Sequence, residues 1–197
     1  IPRRPLGGVA LNAGPLSVAD IPETIEVDGV ERPTTNSNGQ PIAATEEGIR
    51  NFWRWFGDSK VVDEQGRPLV VYHGTKGDFS EFKAGPAWFH TDPQQTFASG
   101  WDANVMPAYV KIERPIRRSG YFGMEDFSRP ARFKFFDKAA GQWVTPDGVI
   151  GDNGVVVAFS PKQIKSAIGN VGTFDPANPD IRYSIKPSEH FKDLTDE

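Results

Sequence analysis

Apolar side chains recur along this chain in two rhythms, and each predicts its own kind of element. Ile49, Phe52, Trp53 and Phe56 follow one another at helical spacing. Thr45 precedes them as an N-cap residue, and Glu46 and Glu47 fill the first turn, where the helix dipole favours carboxylates. Gly57 then offers a left-handed stop. The pattern predicts a helix over 45–56 whose aromatic stripe packs into a core. Elsewhere, short runs of β-branched and aromatic residues predict strands. Leu69-Val70-Val71-Tyr72 reads as a buried strand ending at His73, with Val61-Val62 before it across a hairpin loop over Asp63–Pro68. Further strands are expected at Ala87–His90 and Ala108–Ile112, and as a hairpin of Gly148–Ile150 with Val155–Phe159. Asp92 followed by Pro93 predicts a helix start, with Phe97, Ala98 and Trp101 along one side. Pro161–Ala167 reads as a turn or short helix.

The flanks are different in kind. Residues 1–44 are rich in Pro, Asn, Gly and Thr and poor in large apolar groups, so they read as an extension or linker. One hairpin is expected there, Thr24–Val27 with Val30–Arg32 across Asp28-Gly29. Residues 185–197 read as a charged tail, leaving 45–184 as the domain. Inside it, residues 111–138 interleave Arg114, Arg117, Arg118, Arg129, Arg132, Lys134 and Lys138 with Tyr121, Phe122, Phe127, Phe133, Phe135 and Phe136. Such a stretch suits an acidic partner or unpaired nucleic acid. The plainer alternative is a solvated insertion with its own apolar cluster, since Glu113, Glu125, Asp126 and Asp137 dilute the charge.

Composition narrows the class. The 197 residues carry a net charge of −4, which argues against a generic nucleic-acid or membrane binder. With no cysteine there is no disulfide framework, thiolate metal site or cysteine nucleophile. The 20 glycines and 17 prolines predict many turns, and an α+β or mainly β domain. No apolar run is long enough to span a bilayer and no signal-peptide pattern is seen; because the chain starts at Ile1, the missing leader carries little weight.

Several chemistries fall away. Gly57-Asp58-Ser59 is superficially like a hydrolase nucleophile block, but the serine follows a helix rather than a strand, and Glu189-His190 lacks the expected aspartate. Paired His-x-Thr chemistry needs two motifs, and only His73 qualifies. The 3 dispersed histidines give no zinc spacing, and neither a phosphate loop nor a dinucleotide glycine pattern occurs. What remains is His73-Gly74-Thr75 at a strand end: an imidazole, a peptide that a ligand can approach closely, and a hydroxyl.

His73-Gly74-Thr75, then Trp88-Phe89, then Phe97 and Trp101, then Val155–Phe159 running into Ser160-Pro161-Lys162-Gln163 form an ordered set. At these residues the chain resembles the ADP-ribosyltransferase superfamily of the histidine-tyrosine-glutamate type. Trp55–Asp63 through Val71–Thr75, and Gln163–Ala167 through Asp180–Ser184, are more narrowly similar to transferase domains of phage polyvalent proteins. The resemblance covers residues 45–184. It implies a split β-sandwich of two small antiparallel sheets with flanking helices and an NAD+ cleft between them. In that fold His73 would meet a ribose hydroxyl, the Gly74 backbone the nicotinamide carboxamide, and Thr75 a ribose. Trp88 stands where a tyrosine is expected, Trp101 matches an aromatic that stacks on nicotinamide, and Phe89 and Phe97 line the cofactor site.

One departure is serious. The glutamate of the pattern, eight residues before the Pro-x-Gln glutamine, is Val155 here. The candidates to replace it are Gln163, Asp147 and Asp152; glutamine can orient an acceptor but supplies no charge, so it suits mono- rather than poly-transfer. The expectation is thus a mono-ADP-ribosyltransferase, acting without a metal on a protein or nucleic-acid acceptor gripped by residues 111–138. The resemblance places it as a phage- or mobile-element-encoded effector or toxin, monomeric and free of membrane, in the cytoplasm of a bacterial host or carried in the virion before delivery. A catalytically degenerate NAD-binding or interaction module, and an NAD+ glycohydrolase, are the alternatives.

Overall fold

Helix α1 (Glu46–Phe56) is the hub of the core, and its sequence makes it so. Thr45 Oγ1 accepts a hydrogen bond from the Gly48 N–H at 3.1 Å, and the Gly57 N–H closes the other end on the Trp53 carbonyl at 2.8 Å. Phe52 is fully buried, with ring centroids of Tyr109, Phe56 and Phe174 within 4.8, 4.9 and 5.2 Å. The indoles of Trp53 and Trp55 are buried too, and each finds an acceptor, the carbonyls of Pro33 and Lys162 respectively. The helix therefore sits where predicted, with the predicted face inward.

The computed structural model describes residues 21–75, 79–96, 104–120, 134–138 and 141–181. Around α1 it has β1 (Thr24–Val27), β2 (Val30–Pro33), β3 (Val71–Thr75), β4 (Ala87–His90), β5 (Asn104–Val110), β6 (Pro115–Arg118), β7 (Phe135–Asp137), β8 (Gln142–Val144), β9 (Gly148–Gly151), β10 (Val155–Ala158) and β11 (Ile164–Ser166). Seven of these form one sheet in the order β11-β5-β3-β4-β10-β9-β6, and β1-β2 and β7-β8 are separate hairpins. The described residues are thus mainly β, with a single α-helix.

The sheet is nearly divided. Within β11-β5-β3 and within β4-β10-β9 the strands pair over three to five residues, whereas β3 and β4 share only Tyr72↔His90. Two separate antiparallel sheets were expected; the structure corrects this to two half-sheets still hinged by one backbone pair. It also adds a parallel pair, β6 with β9, from Pro115↔Gly148 to Arg118↔Gly151. That direction is possible because the long segment between the two strands gives room for a crossover. Gly148 must be glycine, since a Cβ there would meet the Val157 carbonyl and the Ile112 side chain at 2.6 Å.

The segment read as an extension is built into the core over its described part. Asp28 and Gly29 take positive φ, 51° and 82°, which makes the tight turn expected of Asp-Gly. Ile25, Val27 and Ile42 then bury against the α1 core. Asn36 is buried, donating to Tyr109 Oη at 2.9 Å while its Oδ1 accepts from the Asn38 and Gln40 N–H groups. Few apolar residues suffice because those present fall on one face. Residues 1–20 and the tail lie outside the described residues.

Other elements shift. The loop over Asp63–Pro68 is held by Asp63, which accepts from the Gln65 and Arg67 N–H groups and pairs with the Arg67 side chain at 2.7 Å. The strand expected over Leu69–His73 instead runs from Val71 to Thr75, because β5 starts at Asn104 and supplies partners up to Thr75. Of the helix expected after Asp92, the described part is a 3-10 turn, Pro93–Gln95, after which Thr96 is extended; Phe97, Ala98 and Trp101 lie outside the described residues. Pro161–Gln163 is likewise a 3-10 turn and leads directly into β11. The expected strand pair Gly148–Ile150 and Val155–Phe159 is present as β9 and β10.

Candidate active site at the joint of the half-sheets

His73 lies where β3 and β4 part company. One residue past the Tyr72↔His90 pair, its Nδ1 meets the Trp88 carbonyl at 2.8 Å. A side chain here bridges the two strands where no further backbone pair forms. A carbonyl only accepts, so Nδ1 carries the proton and Nε2 is the acceptor of the neutral ring. Phe82, Phe89 and Phe79 surround the imidazole at centroid distances of 5.0, 5.5 and 6.0 Å. Tautomer and rotamer are therefore both set before any ligand arrives. Gly74 follows in the same strand, opposite Val105, and Thr75 opposite Asn104.

A second group stands on β4 and β10. Trp88 pairs with Val157, and His90 with Val155; residues directly opposed across a ladder share a face. Trp88, His90, Val155 and Val157 therefore line one face, while Phe89 joins the main core on the other. Val155, at the position of the expected glutamate, is 4% exposed and packs with Val149, Val157, Ile116, Trp88 and Phe159. The structure brings His73, Gly74, Thr75 and the Trp88 backbone to one joint; the His73 ring lies on the Phe89 side of the sheet, whereas the Trp88 side chain lies on the other face, with Val155 in the apolar cluster beside it.

His90 is the site residue that the sequence did not single out. It is buried, and its Nδ1 accepts from the Asp92 N–H at 2.9 Å, so its Nε2 carries the proton. It sits in the joint with Tyr72 on one side and Val155 on the other. Gly154, at φ 88°, is tailored to it: a Cβ there would come within 2.5 Å of Thr91 Oγ1 and 3.0 Å of His90 Cε1. The available signal was the period of two, which puts residue 90 on the Trp88 side of an expected strand.

Gln163 and Asp147 belong to the framework. The Gln163 Oε1 accepts from the Phe159 and Ser160 N–H groups, at 3.1 and 2.8 Å. Its Nε2 donates to the carbonyls of Lys111 and Asp147, at 2.7 and 2.8 Å. A side-chain amide has two donors and two strong acceptor sites, so Gln163 has none to spare. The Asp147 carboxylate accepts from the Glu113 and Arg114 N–H groups, at 3.0 and 2.8 Å, and Asp152 from the Gly120 N–H at 3.1 Å. None of these partners is on β3 or β4. Ser59 is equally structural, bonded to the main chain at Val110, Val61 and Ile112.

Phe97 and Trp101, expected to line the cofactor site, lie outside the described residues, as do 121–133 of the basic-aromatic stretch. Among the described residues no group of three or more His, Asp or Glu could hold a metal ion, and no helix is long and apolar enough to cross a membrane. Among the described residues, three groups away from the joint have shifted ionisations. Burial pushes the Tyr109 phenol up to about 12, against the opposing hydrogen bond from Asn36. Burial lowers the Lys165 ammonium, whose Nζ donates to the Asn178 and Asp180 carbonyls and ties the late loop to β11. The hydrogen bond and charge of Arg32 hold the exposed Asp58 carboxyl below its usual value.

Neither a curated protein nor a solved structure gives a significant match to this chain. A family model described as ADP-ribosyltransferase in polyvalent proteins matches residues 63–174, which spans β3 to β11 and so takes in His73, Trp88, His90 and Val155. With more than half of its length matched, the chain belongs to the ADP-ribosyltransferase family of polyvalent proteins.

Proposed function

We propose that the chain transfers single ADP-ribose units from NAD+ to a macromolecule of a bacterial host, releasing nicotinamide. Membership of the family supports ADP-ribosyltransferase activity and implies NAD+ as the co-substrate. The observation that carries the reading is His73, held in one tautomer by the Trp88 carbonyl at the joint between half-sheets. Its Nε2 would accept from a ribose hydroxyl, and the bare Gly74 peptide would receive the carboxamide. Breaking the bond between ribose and nicotinamide leaves positive charge on the sugar, which an aromatic face can stabilise. The acceptor nucleophile then bonds to the same carbon and gives up its proton.

Val155 shapes the specificity. A glutamate there would orient a ribose hydroxyl as acceptor for chain growth; a valine packed among Val149, Val157 and Ile116 does not, which supports transfer of single units. The polar side chain paired with position 155 is His90, and we assign it the nearest equivalent role, hydrogen bonding by its Nε2–H. The same apolar cluster is the one feature favouring a domain that binds NAD+ without turning it over.

Incubating the full chain with labelled NAD+ and bacterial lysate separates the readings. Nicotinamide release that needs His73, with label fixed on lysate macromolecules, is the expected outcome. Release without fixed label would make the domain a glycohydrolase, and NAD+ binding with no release would make it a binding module.

A further inference from the structure

The β7–β8 hairpin carries two large rings where a protein surface seldom leaves them. Phe136 and Trp143 oppose each other across the ladder and are 49% and 67% exposed. Their centroids are 5.8 Å apart and their planes meet at 70°, an edge-on contact that leaves ring faces uncovered. Lys134 and Lys138 lie two residues either side of Phe136, at the two ends of β7, and both are exposed. On the opposite side Phe135, Asp137 and Val144 are half-buried and Gln142 is exposed. The hairpin thus exposes a face of two aromatics with an exposed cation at each end of its first strand. Edge strand β6, in the same stretch of chain, exposes Arg117 and Arg118 as well.

We propose that this outward face binds single-stranded nucleic acid, with bases stacking on Trp143 and Phe136 and phosphates held by Lys134 and Lys138. Lys134 and Lys138 make this face locally basic although the net charge of the chain is −4, and that local charge supports an anionic partner. The open ring faces choose among anions: unpaired bases stack on them, whereas duplex bases are already stacked and an acidic peptide would engage the lysines alone. Binding itself does not depend on catalysis. Its consequence, that the transferase acceptor is a nucleic-acid strand or something bound to one, rests on the function proposed above.

The test is fluorescence anisotropy of a labelled oligothymidylate titrated with the full chain, without NAD+, over a range of KCl. Saturable binding is expected, with log K falling against log salt by about 0.7 for each phosphate neutralised. Trp143→Ala and Phe136→Ala should each weaken it about tenfold, and Lys134→Glu with Lys138→Glu should flatten the salt slope. His73→Ala should bind as wild type does. Absent binding, binding indifferent to Trp143→Ala, equal binding of the matching duplex, or equally effective competition by polyglutamate would each overturn the proposal. If nicotinamide is released but no oligonucleotide binds, this inference fails and the transferase reading stands; the converse result separates them the other way.

Discussion

Val155 faces His90 directly across the β4–β10 ladder, so the position of the expected acid has an imidazole for its cross-strand neighbour. The two sit at the joint of the half-sheets, one in an apolar cluster and the other hydrogen-bonded to the Asp92 N–H. Val155→Glu would push a carboxylate into that cluster. The burial costs on the order of 3 kcal/mol. We expect a lower urea midpoint at pH 8 that partly recovers at acid pH, where the buried carboxyl takes up a proton. A variant as stable at pH 8 as wild type would show that position 155 has access to water.

Removing the imidazole at residue 73 should abolish chemistry before it abolishes the fold. His73→Asn should cut nicotinamide release by about 100-fold or more, the scale of losing one preorganised hydrogen-bonding group. Circular dichroism should stay native, because the ring is only half-buried and the flanking Tyr72↔His90 pair remains. Release within a few-fold of wild type would remove His73 from the site.

Gln163 gives the opposite prediction. Gln163→Ala strands two N–H groups and two carbonyls in one place, those of Phe159, Ser160, Lys111 and Asp147. Each group left unsatisfied costs about 1–3 kcal/mol, so the urea midpoint should fall steeply. Protein that remains folded at low temperature should still release nicotinamide at a near wild-type rate. A large loss of rate at unchanged stability would return Gln163 to the catalytic set.

Tyr109 makes stability depend on alkaline pH. Its phenol rises from 10.0 to about 12 on folding, so between those values the native state holds a proton that the unfolded chain has lost. Stability contributed by this group is complete below pH 10 and falls by about 1.4 kcal/mol per pH unit as pH rises towards 12. Lys165 acts with the opposite sign below 10.5, because its lowered pKa means the native state releases its proton first and stability rises with pH there. Tyr109→Phe should remove the alkaline decline in urea melts; an unchanged slope would mean that other tyrosines carry it.

The N-terminal hairpin is expected to behave as core rather than as a leash. Asn36→Ala leaves Tyr109 Oη without its donor and frees the Asn38 and Gln40 N–H groups, for a cost of about 2 kcal/mol. Deleting residues 1–44 would also uncover the α1 core that Ile25, Val27 and Ile42 now cover. The truncated chain should be aggregation-prone, and a soluble, cooperatively melting product would refute this.

What the sequence determined by itself is local. The α1 cap and stripe, the Asp28-Gly29 turn and the β9–β10 hairpin depend on residues a few positions apart, and periodicity and turn chemistry act at that range. The order of the motif blocks was also legible, and the family match over residues 63–174 agrees with it. The tertiary structure alone decided what each block does. β3 runs past His73 because Asn104 and Val105 arrive to pair with it. Gln163 is saturated because Lys111 and Asp147, far from it in the chain, present their carbonyls. His90 becomes a candidate because β10 sets Val155 against it. Strand partners and hydrogen-bond partners are chosen by which surfaces can be buried together, and that choice is made among residues that no local pattern connects.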